Sequence, residues 1–369
     1  MTLSRRKTVA LIGGGFIVAT AAAAGGFAAT RRPNSALAPW ESVGGYSDPR
    51  MAALSWAILA PNPHNRQPWQ AKLIGTDRVR IWRDANRNLP ETDPYDRQLT
   101  IGMGCFLELF RQAAAEQGFV AEMELFPEGE GGPVADIALV SGGIPDPLFR
   151  NVLSRHTNRL AYEARVPEAG ALLAMAPEAS EVITGPDRVD TLRTLTWNAT
   201  YTEMTTHRTH MESMNLMRFG KREINANPDG ISLRGPMLEG MMLAGWITRD
   251  GQSDPESAEF RRAVDFLRSA QNATSAYVTV KTSGNTRYDQ IEAGRMWVRL
   301  HLAATSRGVA IQPLSQSLQE YEEQAALDTQ VHELLAEPGE TVQMLARIGY
   351  ATPSGPSPRW PLESRMIGT

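Results

Sequence analysis

The segment Ala60–Trp69, which reads Ala-Pro-Asn-Pro-His-Asn-Arg-Gln-Pro-Trp, guides the interpretation of the whole chain. Three prolines fix φ and remove backbone donors, so this segment cannot be a helix or a central strand. We expect a stiff loop between a helix and a strand. The amides of Asn62, Asn65 and Gln67 each offer a donor and an acceptor, and outward-pointing amides could hold a planar ring with polar edges. A tight connector with polar decoration is the alternative.

Composition sets broad limits on the kind of protein. The chain has 369 residues, 42% of them hydrophobic, which is enough for a large core in two domains or one large one. A net charge of −4 with scattered lysines and arginines argues against nucleic acid as the main partner. The single cysteine, Cys105, allows no intrachain disulfide, and its apolar helical surroundings predict a core residue rather than a nucleophile.

The N-terminus has the pattern of a twin-arginine export signal. Ser4-Arg5-Arg6-Lys7 precedes a mildly apolar run from Val9 to about Thr30. We therefore predict a signal peptide and linker over residues 1–38, export by the twin-arginine machinery, and a periplasmic or otherwise exported location. Ala36-Leu37-Ala38 could precede a cleavage site, but Pro39 follows it, so an uncleaved membrane tether stays open. Because this pathway carries folded proteins, it also suggests a bound cofactor.

Local patterns predict helices and strands along the rest of the chain. Residues 31–43 are expected to be a linker, and Arg155–Arg159 is expected in a short helix. The other predicted helices start at Asp48-Pro49 and cover Ile101–Gln117, Pro167–Met175, Asp187–Phe219, Glu256–Val280, Asp289–Arg307 and Asp328–Ala336. The predicted strands are Gln70–Ile74, Val79–Arg83, Phe119–Phe126, Val134–Val140, Glu181–Thr184, Val309–Leu314 and Thr341–Tyr350.

Two parts of the chain resemble each other weakly. Gly104 stands fourteen residues before Gly118, as Gly294 stands before Gly308, and a predicted strand follows each pair. This spacing favours a diverged tandem repeat around a pseudo-two-fold axis. We predict halves at 46–148 and 149–369, with a methionine-rich insertion around 202–250. That insertion could be a lid over a pocket or simply two packed helices.

A second polar pattern, Arg155-x-Thr157-x-Arg159, places two guanidinium groups and a hydroxyl at alternating positions. All three could converge on one phosphate through charge-assisted hydrogen bonds. Arg359, in the proline-rich tail, could add a third cation. Solvent-exposed arginines are the alternative.

Together these motifs resemble the FMN-dependent nitroreductase family. Ala60–Trp69 is similar to that family's Ala-Pro-Ser-x-x-Asn-x-Gln-Pro-Trp segment, and Arg155-x-Thr157-x-Arg159 resembles its phosphate motif. Ala303–Leu314 is similar to the helix, glycine and strand that pass beneath the flavin. Arg347-Ile348-Gly349-Tyr350, followed by Pro358-Arg359, resembles the closing strand and tail. The chain looks most like the Acg-type branch, in which two nitroreductase-like halves share one polypeptide.

This resemblance implies an α+β fold, a tandem pseudo-dimer of two antiparallel or mixed sheets flanked by helices. It also implies a monomer that mimics the family's homodimer, with one FMN site and hydride transfer through flavin N5 to an unknown small-molecule acceptor. A backbone N–H near Pro313-Leu314 would approach N5. The residues implied for cofactor binding are Pro61, Asn62, His64, Asn65, Gln67, Arg155, Thr157, Arg159, Gln312, Pro313, Leu314 and Arg359.

Some features depart from the family or point elsewhere. Asn62-Pro63-His64 replaces the usual Ser-containing sequence, and Trp360 stands where a second arginine is common. A protein that binds or sequesters FMN without turnover is one alternative, and a periplasmic binding protein for another ligand is a second. His207 and His210 lack a third ligand at suitable spacing, so we expect exposed histidines and no metal site.

Overall fold

The computed structural model describes Phe27 and residues 30–368. The paired arginines and most of the apolar run of the predicted export signal lie outside the described residues. Across the part that is described, we find no helix with the length and apolar character needed to span a bilayer.

Helices and strands alternate along the described chain. The helices are α1 (Asn34–Glu41), α2 (Pro49–Ala57), α3 (Arg97–Glu116), α4 (Ala169–Met175), α5 (Pro186–Thr205), α6 (His207–Leu216), α7 (Gly220–Ala226), α8 (Pro236–Leu243), α9 (Arg249–Ser253), α10 (Ala258–Asn272), α11 (Arg287–Thr305) and α12 (Ala325–Leu335). The strands are β1 (Trp69–Ile74), β2 (Arg78–Arg83), β3 (Phe119–Leu125), β4 (Ala135–Ser141), β5 (Glu181–Ile183), β6 (Met217–Phe219), β7 (Ile231–Leu233), β8 (Ala276–Thr282), β9 (Ala310–Pro313) and β10 (Thr341–Gly349).

Two four-stranded antiparallel sheets form the framework. The first has the order β1-β2-β4-β3 and the second the order β5-β8-β10-β9. Helices flank both sheets, which confirms the predicted α+β class. The first sheet uses strands from residues 69–141 and the second uses strands from residues 181–349. The predicted boundaries of the two halves stay a prediction.

The long helices α3 and α11 cross at two glycines. A Cβ built on Gly104 would lie 2.1 Å from the Ile291 carbonyl oxygen, and one built on Gly294 would lie 2.1 Å from the Ile101 carbonyl oxygen. The Cys105 thiol donates to the Gly294 carbonyl at 3.1 Å. Only glycine permits this backbone contact, and the contact is self-complementary, as expected around a two-fold axis. The repeat predicted from the sequence pairs these same two glycines.

Several predicted elements are wrong. Residues 31–43 are not a linker, because α1 forms there and buries Ala36, Leu37 and Trp40. The predicted helix Glu256–Val280 ends at Asn272, and the β-branched run that follows forms the buried strand β8.

Three further corrections concern two backbone segments and one histidine. The predicted helix Asp187–Phe219 is broken at Thr206, which has extended φ/ψ values. Arg155–Arg159 is not helical, because the preceding 3₁₀ turn Phe149–Ser154 ends at Arg155 in an extended conformation. His210 is buried rather than exposed, and its Nε2 lies 3.1 Å from the Gln252 carbonyl oxygen.

Candidate functional site

The loop Ala60–Trp69 leaves the end of α2 and enters β1, as expected. Asp48 caps the start of α2 by accepting from the Arg50 N–H at 2.9 Å. Three loop residues other than glycine have positive φ: His64 at 45°, Asn65 at 50° and Gln67 at 51°. Such conformations are unfavourable for side chains with a Cβ and persist only where surrounding contacts hold them. This clustering marks the loop as a site held by its neighbours.

The amides of Asn62 and Gln67 supply part of this support. Asn62 Oδ1 accepts from the Gln67 N–H at 2.7 Å, and its Nδ2 donates to the Ala60 carbonyl at 3.1 Å. Gln67, which is fully buried, donates to the Pro228 carbonyl at 2.7 Å and accepts from the Trp360 N–H at 2.9 Å. The expectation that these amides point outward is therefore wrong, because they tie the loop to itself, to the insertion and to the tail.

Arg359 is the central support of the loop. It is buried, and its guanidinium lies at the carbonyl end of α2, where positive charge is favourable. Each of its five N–H groups has an acceptor within the protein. Nε donates to Ile58 at 2.8 Å, Nη1 donates to Asn65 Oδ1 at 2.7 Å and to Pro358 at 2.9 Å, and Nη2 donates to Leu59 and Ala60 at 3.0 Å each.

Arg155 also bonds the backbone turn at Leu59, just before the loop, which Arg359 holds. Its Nη2 donates to the Leu59 carbonyl at 3.1 Å, beside the bond from Arg359. Its Nη1 lies 3.3 Å from His301 Nδ1, which must accept because arginine can only donate. Burial and the charge of Arg155 hold the pKa of His301 well below its usual range, so this imidazole is neutral. The structure thus brings the loop, Arg155 and Arg359 together. That they form a ligand site shared by two parts of the chain stays a prediction.

Thr157 and Arg159 differ from these two arginines because their polar groups remain available. Within residues 30–368, neither side chain has a hydrogen-bond or ion-pair partner. Arg159 is exposed, yet desolvation by the surrounding protein lowers its pKa. His64 lies close by, and burial followed by the charge of Arg159 lowers its pKa to about 4. Its Nδ1 is buried without a partner among the described residues.

Asn158 holds this segment in place and was missed in the sequence reasoning. Its N–H donates to the Ile311 carbonyl of β9 at 3.1 Å, and its Nδ2 donates to the Thr352 carbonyl at 2.7 Å. The side chain is buried, so Thr157 and Arg159 flank a fixed point. A polar residue between two motif residues carries no sequence signal that would distinguish it from a solvated one.

Gln312–Leu314 lies on and just after β9, next to that fixed point. Gln312 Oε1 accepts from Arg347 Nε at 2.8 Å, so this side chain orients a buried arginine. The Leu314 N–H donates to the Leu345 carbonyl at 2.9 Å, and Pro313 has no N–H. The sheet therefore already uses the Leu314 N–H. The expectation that a backbone N–H near Pro313-Leu314 approaches flavin N5 stays a prediction.

The dominant electrostatic feature is uncompensated positive charge. In the described part of the chain, no carboxylate lies within 4.0 Å of any guanidinium in this group of five: Arg155, Arg159, Arg234, Arg347 and Arg359. Burial and the positive charges of Arg155, Arg359 and Arg234 lower the pKa of His156 to about 4, because both disfavour a protonated imidazole. Buried charges without counterions are costly, so this arrangement favours an anionic ligand. Arg234 had not been recognised from the sequence.

The predicted insertion, residues 202–250, contacts the loop region around Asp229. This carboxylate accepts from Arg218 at 2.7 Å and from Arg87 at 3.1 Å, with Arg66 at 3.9 Å. Burial alone would raise the pKa of Asp229, but these arginines lower it overall. The neighbouring Gly230 N–H donates to the Asn65 carbonyl at 3.3 Å. Part of the predicted 202–250 insertion therefore packs directly on the loop.

Comparison with known proteins supports one superfamily. No model of a known protein family matches the chain. A Mycobacterium tuberculosis H37Rv protein named "Putative NAD(P)H nitroreductase Rv3131" is 24% identical over 320 residues, which cover 83% of this chain and 87% of that protein. Another from the same strain, "Putative NAD(P)H nitroreductase acg", is 39% identical over 77 residues, 21% of this chain and 23% of that protein.

Among solved structures, one similar chain is the FMN-dependent nitroreductase NfnB from Mycobacterium smegmatis in complex with NADPH. The match covers 58% of this chain and 94% of that chain, with 18% sequence identity and a TM-score of 0.35. The two sequence relatives support a place in the nitroreductase superfamily for this chain.

Proposed function

We propose that this protein is an exported FMN-binding oxidoreductase of the nitroreductase family that transfers hydride to a small-molecule acceptor. The observation that carries the proposal is the group of five arginines, none of which has a carboxylate within 4.0 Å among the described residues. Two of them, Arg155 and Arg359, hold the turn at the start of the strained loop. Independently, the sequence relatives named as nitroreductases support the same family of oxidoreductases. Their low identity leaves substrate and donor open.

The donor set fits the phosphate of FMN. A phosphate needs several N–H and O–H donors in a positively charged pocket, and arginine suits it especially well. Thr157 and Arg159 have polar groups available for this role. Arg155 and Arg359 would contribute positive charge while their guanidinium groups stay bonded to the Leu59 carbonyl. Leu59 thereby links the loop to the phosphate site.

The remaining implied residues would serve the ring and ribityl chain. His64 is neutral at pH 7, and its Nδ1 would offer a hydrogen bond to a polar ring edge. Pro61, Asn62, Asn65 and Gln67 would act through the shape of the loop, since the three side-chain amides are engaged elsewhere. Gln312–Leu314 would form a fixed wall next to Asn158. Bound FMN would supply the hydride chemistry, and the protein would supply position and electrostatics.

The location and assembly are part of the proposal. The sequence of residues 1–30 supports export by the twin-arginine pathway, and the self-complementary Gly104–Gly294 contact supports a single chain that mimics a dimer. Nicotinamide cofactors are scarce outside the cytoplasm, so an exported enzyme needs another donor. A protein that binds or sequesters FMN without turnover remains the second candidate, favoured by how tightly the loop is already bound.

Flavin binding is tested first. The full chain purified from its own host should be yellow or should take up added FMN, with affinity measured by flavin fluorescence quenching. Arg159→Ala removes an available phosphate donor and should weaken FMN binding by at least about tenfold, because hydrogen bonds to charged groups are worth about 1.5–3 kcal/mol. The control is Arg150→Ala, also exposed and nearby, which should bind like the parent. A colourless protein without FMN uptake contradicts both candidates.

Turnover is tested second. Anaerobic mixing of the flavin-loaded protein with NADH, NADPH or a quinol should bleach the flavin absorbance with at least one donor. Bleaching followed by reoxidation with a nitroaromatic or quinone acceptor supports the oxidoreductase. Absence of bleaching with all three donors favours the sequestering protein.

A further inference from the structure

The short helix α8 and the turn after it expose apolar side chains. Of the eight residues in α8, Pro-Met-Leu-Glu-Gly-Met-Met-Leu, only Glu239 has a charged side chain. Met237 is 74% exposed, Leu243 is 75% exposed, and Trp246 in the following turn is 65% exposed. We call these three residues, with α8, the apolar face. Large apolar side chains exposed close together in the chain can mark an interaction site.

The polarity of α8 is the reverse of that of an ordinary surface helix. Its carboxylate is turned inward, where Glu239 Oε1 accepts from the Lys221 N–H at 3.2 Å and Oε2 lies 3.6 Å from Arg31. Glu239 is buried, while Met237 and Leu243 of the same helix are largely exposed. A surface helix normally buries its apolar side and exposes its charges. The arrangement of α8 therefore indicates that its outer side meets an apolar phase.

The N-terminal segment enters the fold beside α8. The Thr30 carbonyl accepts from Lys221 Nζ at 2.9 Å, and Arg31 next to it pairs with Glu239. In the sequence, the apolar run from Val9 to about Thr30 immediately precedes this point. An apolar segment of this length is itself compatible with insertion in a membrane. The apolar face thus lies where the chain emerges from its predicted export segment.

The charges around this point suit an anionic surface. Lys221 and Arg222 lie in the first turn of α7. Among the described residues, neither side-chain cation has a carboxylate oxygen within 4.0 Å. Basic side chains beside exposed apolar ones are typical of proteins that lie on anionic bilayers. Tryptophan in particular prefers the interface between headgroups and acyl chains.

We propose that the apolar face docks on the surface of an anionic phospholipid bilayer, with Met237, Leu243 and Trp246 inserted at the level of the headgroups. Lys221 and Arg222 would contact the anionic headgroups. The proposal holds whether or not the export segment is removed and does not depend on flavin binding. For an exported oxidoreductase, it would place the protein beside donors dissolved in the membrane.

Depth-dependent fluorescence quenching tests insertion directly. The full chain is mixed with vesicles of phosphatidylcholine and phosphatidylglycerol whose acyl chains carry bromine near the headgroup. Comparison with Trp246→Phe isolates the emission of this residue from that of the other seven tryptophans. Trp246 emission should be quenched by at least half in brominated vesicles. Unquenched Trp246 in vesicle-bound protein would overturn the proposal, because the protein would then be held by another segment.

Vesicle affinity provides the second measurement. The triple variant Met237→Ser, Leu243→Ser, Trp246→Ser should bind at least tenfold more weakly than the parent in flotation. The matched control is Ile144→Ser, Leu173→Ser, Phe266→Ser, which alters side chains that are 83%, 74% and 61% exposed elsewhere on the molecule. Equal loss in both variants would overturn the proposal. So would a triple variant that changes self-association in light scattering but keeps its vesicle affinity, since the face would then bind a second copy.

Discussion

Gly104 and Gly294 lie against each other where two long core helices, α3 and α11, cross. A Cβ on Gly104 would lie 2.9 Å from the Gly294 Cα, and one on Gly294 would lie 2.8 Å from the Gly104 Cα. The nearest atoms are backbone, so neither helix can accommodate a side chain by a rotamer change. The close approach of α3 and α11 therefore depends on glycine at both positions.

Alanine at either glycine should destabilise the fold. Gly104→Ala and Gly294→Ala are each expected to lower the free energy of unfolding by about 2 kcal/mol or more, because overpacking against backbone cannot be relieved locally. The control is Gly170→Ala in α4, where an added Cβ meets nothing within 4 Å. That change should stabilise the protein by about 0.5–1 kcal/mol. Urea unfolding of the three variants provides the comparison, and similar free energies for all three would contradict the proposed contact.

Arg359 should be important for stability even without a ligand. Arg359→Met removes five N–H donors and leaves buried carbonyls at the end of α2 with fewer partners, at about 1–3 kcal/mol for each unsatisfied group. We expect a loss of at least about 3 kcal/mol in guanidinium unfolding, and a smaller loss for Arg359→Lys, which keeps the charge. The exposed Arg150→Met should be neutral. A loss below about 1 kcal/mol for Arg359→Met would show that this network contributes little.

Glu203 should make stability depend on pH. It is buried and accepts from Gln319 Nε2 at 2.7 Å; burial raises its pKa from 4.5 to about 7, with Glu212 raising it further and the Gln319 bond opposing. Between pH 4.5 and about pH 7, Glu203 therefore keeps its proton in the folded state but has released it in the unfolded state. Stability from this group is therefore lost as pH rises through that window.

The matched variant isolates this effect. Between pH 5.5 and pH 8, the parent should lose on the order of 2 kcal/mol more unfolding free energy than Glu203→Gln. Both proteins carry the same histidines, so their titrations cancel in the comparison. The exposed Glu116→Gln should behave like the parent. Parallel pH profiles for parent and Glu203→Gln would refute the prediction.

Cys105 should be unreactive in the folded protein. Burial raises the pKa of its thiol to about 12, and Sγ donates to the Gly294 carbonyl. Because the thiolate is the nucleophile, labelling with a disulfide reagent at pH 8 should be at least about 100-fold slower in native protein than in guanidinium. Unfolded chain should release one equivalent. Full labelling of native protein within minutes would show that the α3–α11 contact opens readily.

Much of the framework could be predicted because its causes are local. Proline chemistry places the loop at Ala60–Trp69, Asp48 caps α2, and alternating apolar residues mark the first sheet's strands. The helix α1 was missed because Pro33 and Pro39 resemble a linker pattern. Strand β8 was missed because an apolar run beside a helix shows no clear period. Both are stabilised by burial against distant parts of the chain, and that information is not contained in a short window.

The sequence by itself determined that a rigid loop would carry Asn62, Asn65 and Gln67, and that Arg155, Thr157, Arg159 and Arg359 were the candidate anion ligands. Only the tertiary structure decided which of these groups remain available. Gln67 meets Pro228 across 161 residues of sequence, and Asn65 meets Pro358 across 293. A polar side chain is satisfied by whatever partner folding brings to it, so its availability to a ligand is a property of long-range packing. For that reason the loop's amides are structural, whereas the side chains of Thr157 and Arg159 have no polar partner among the residues that the structure describes.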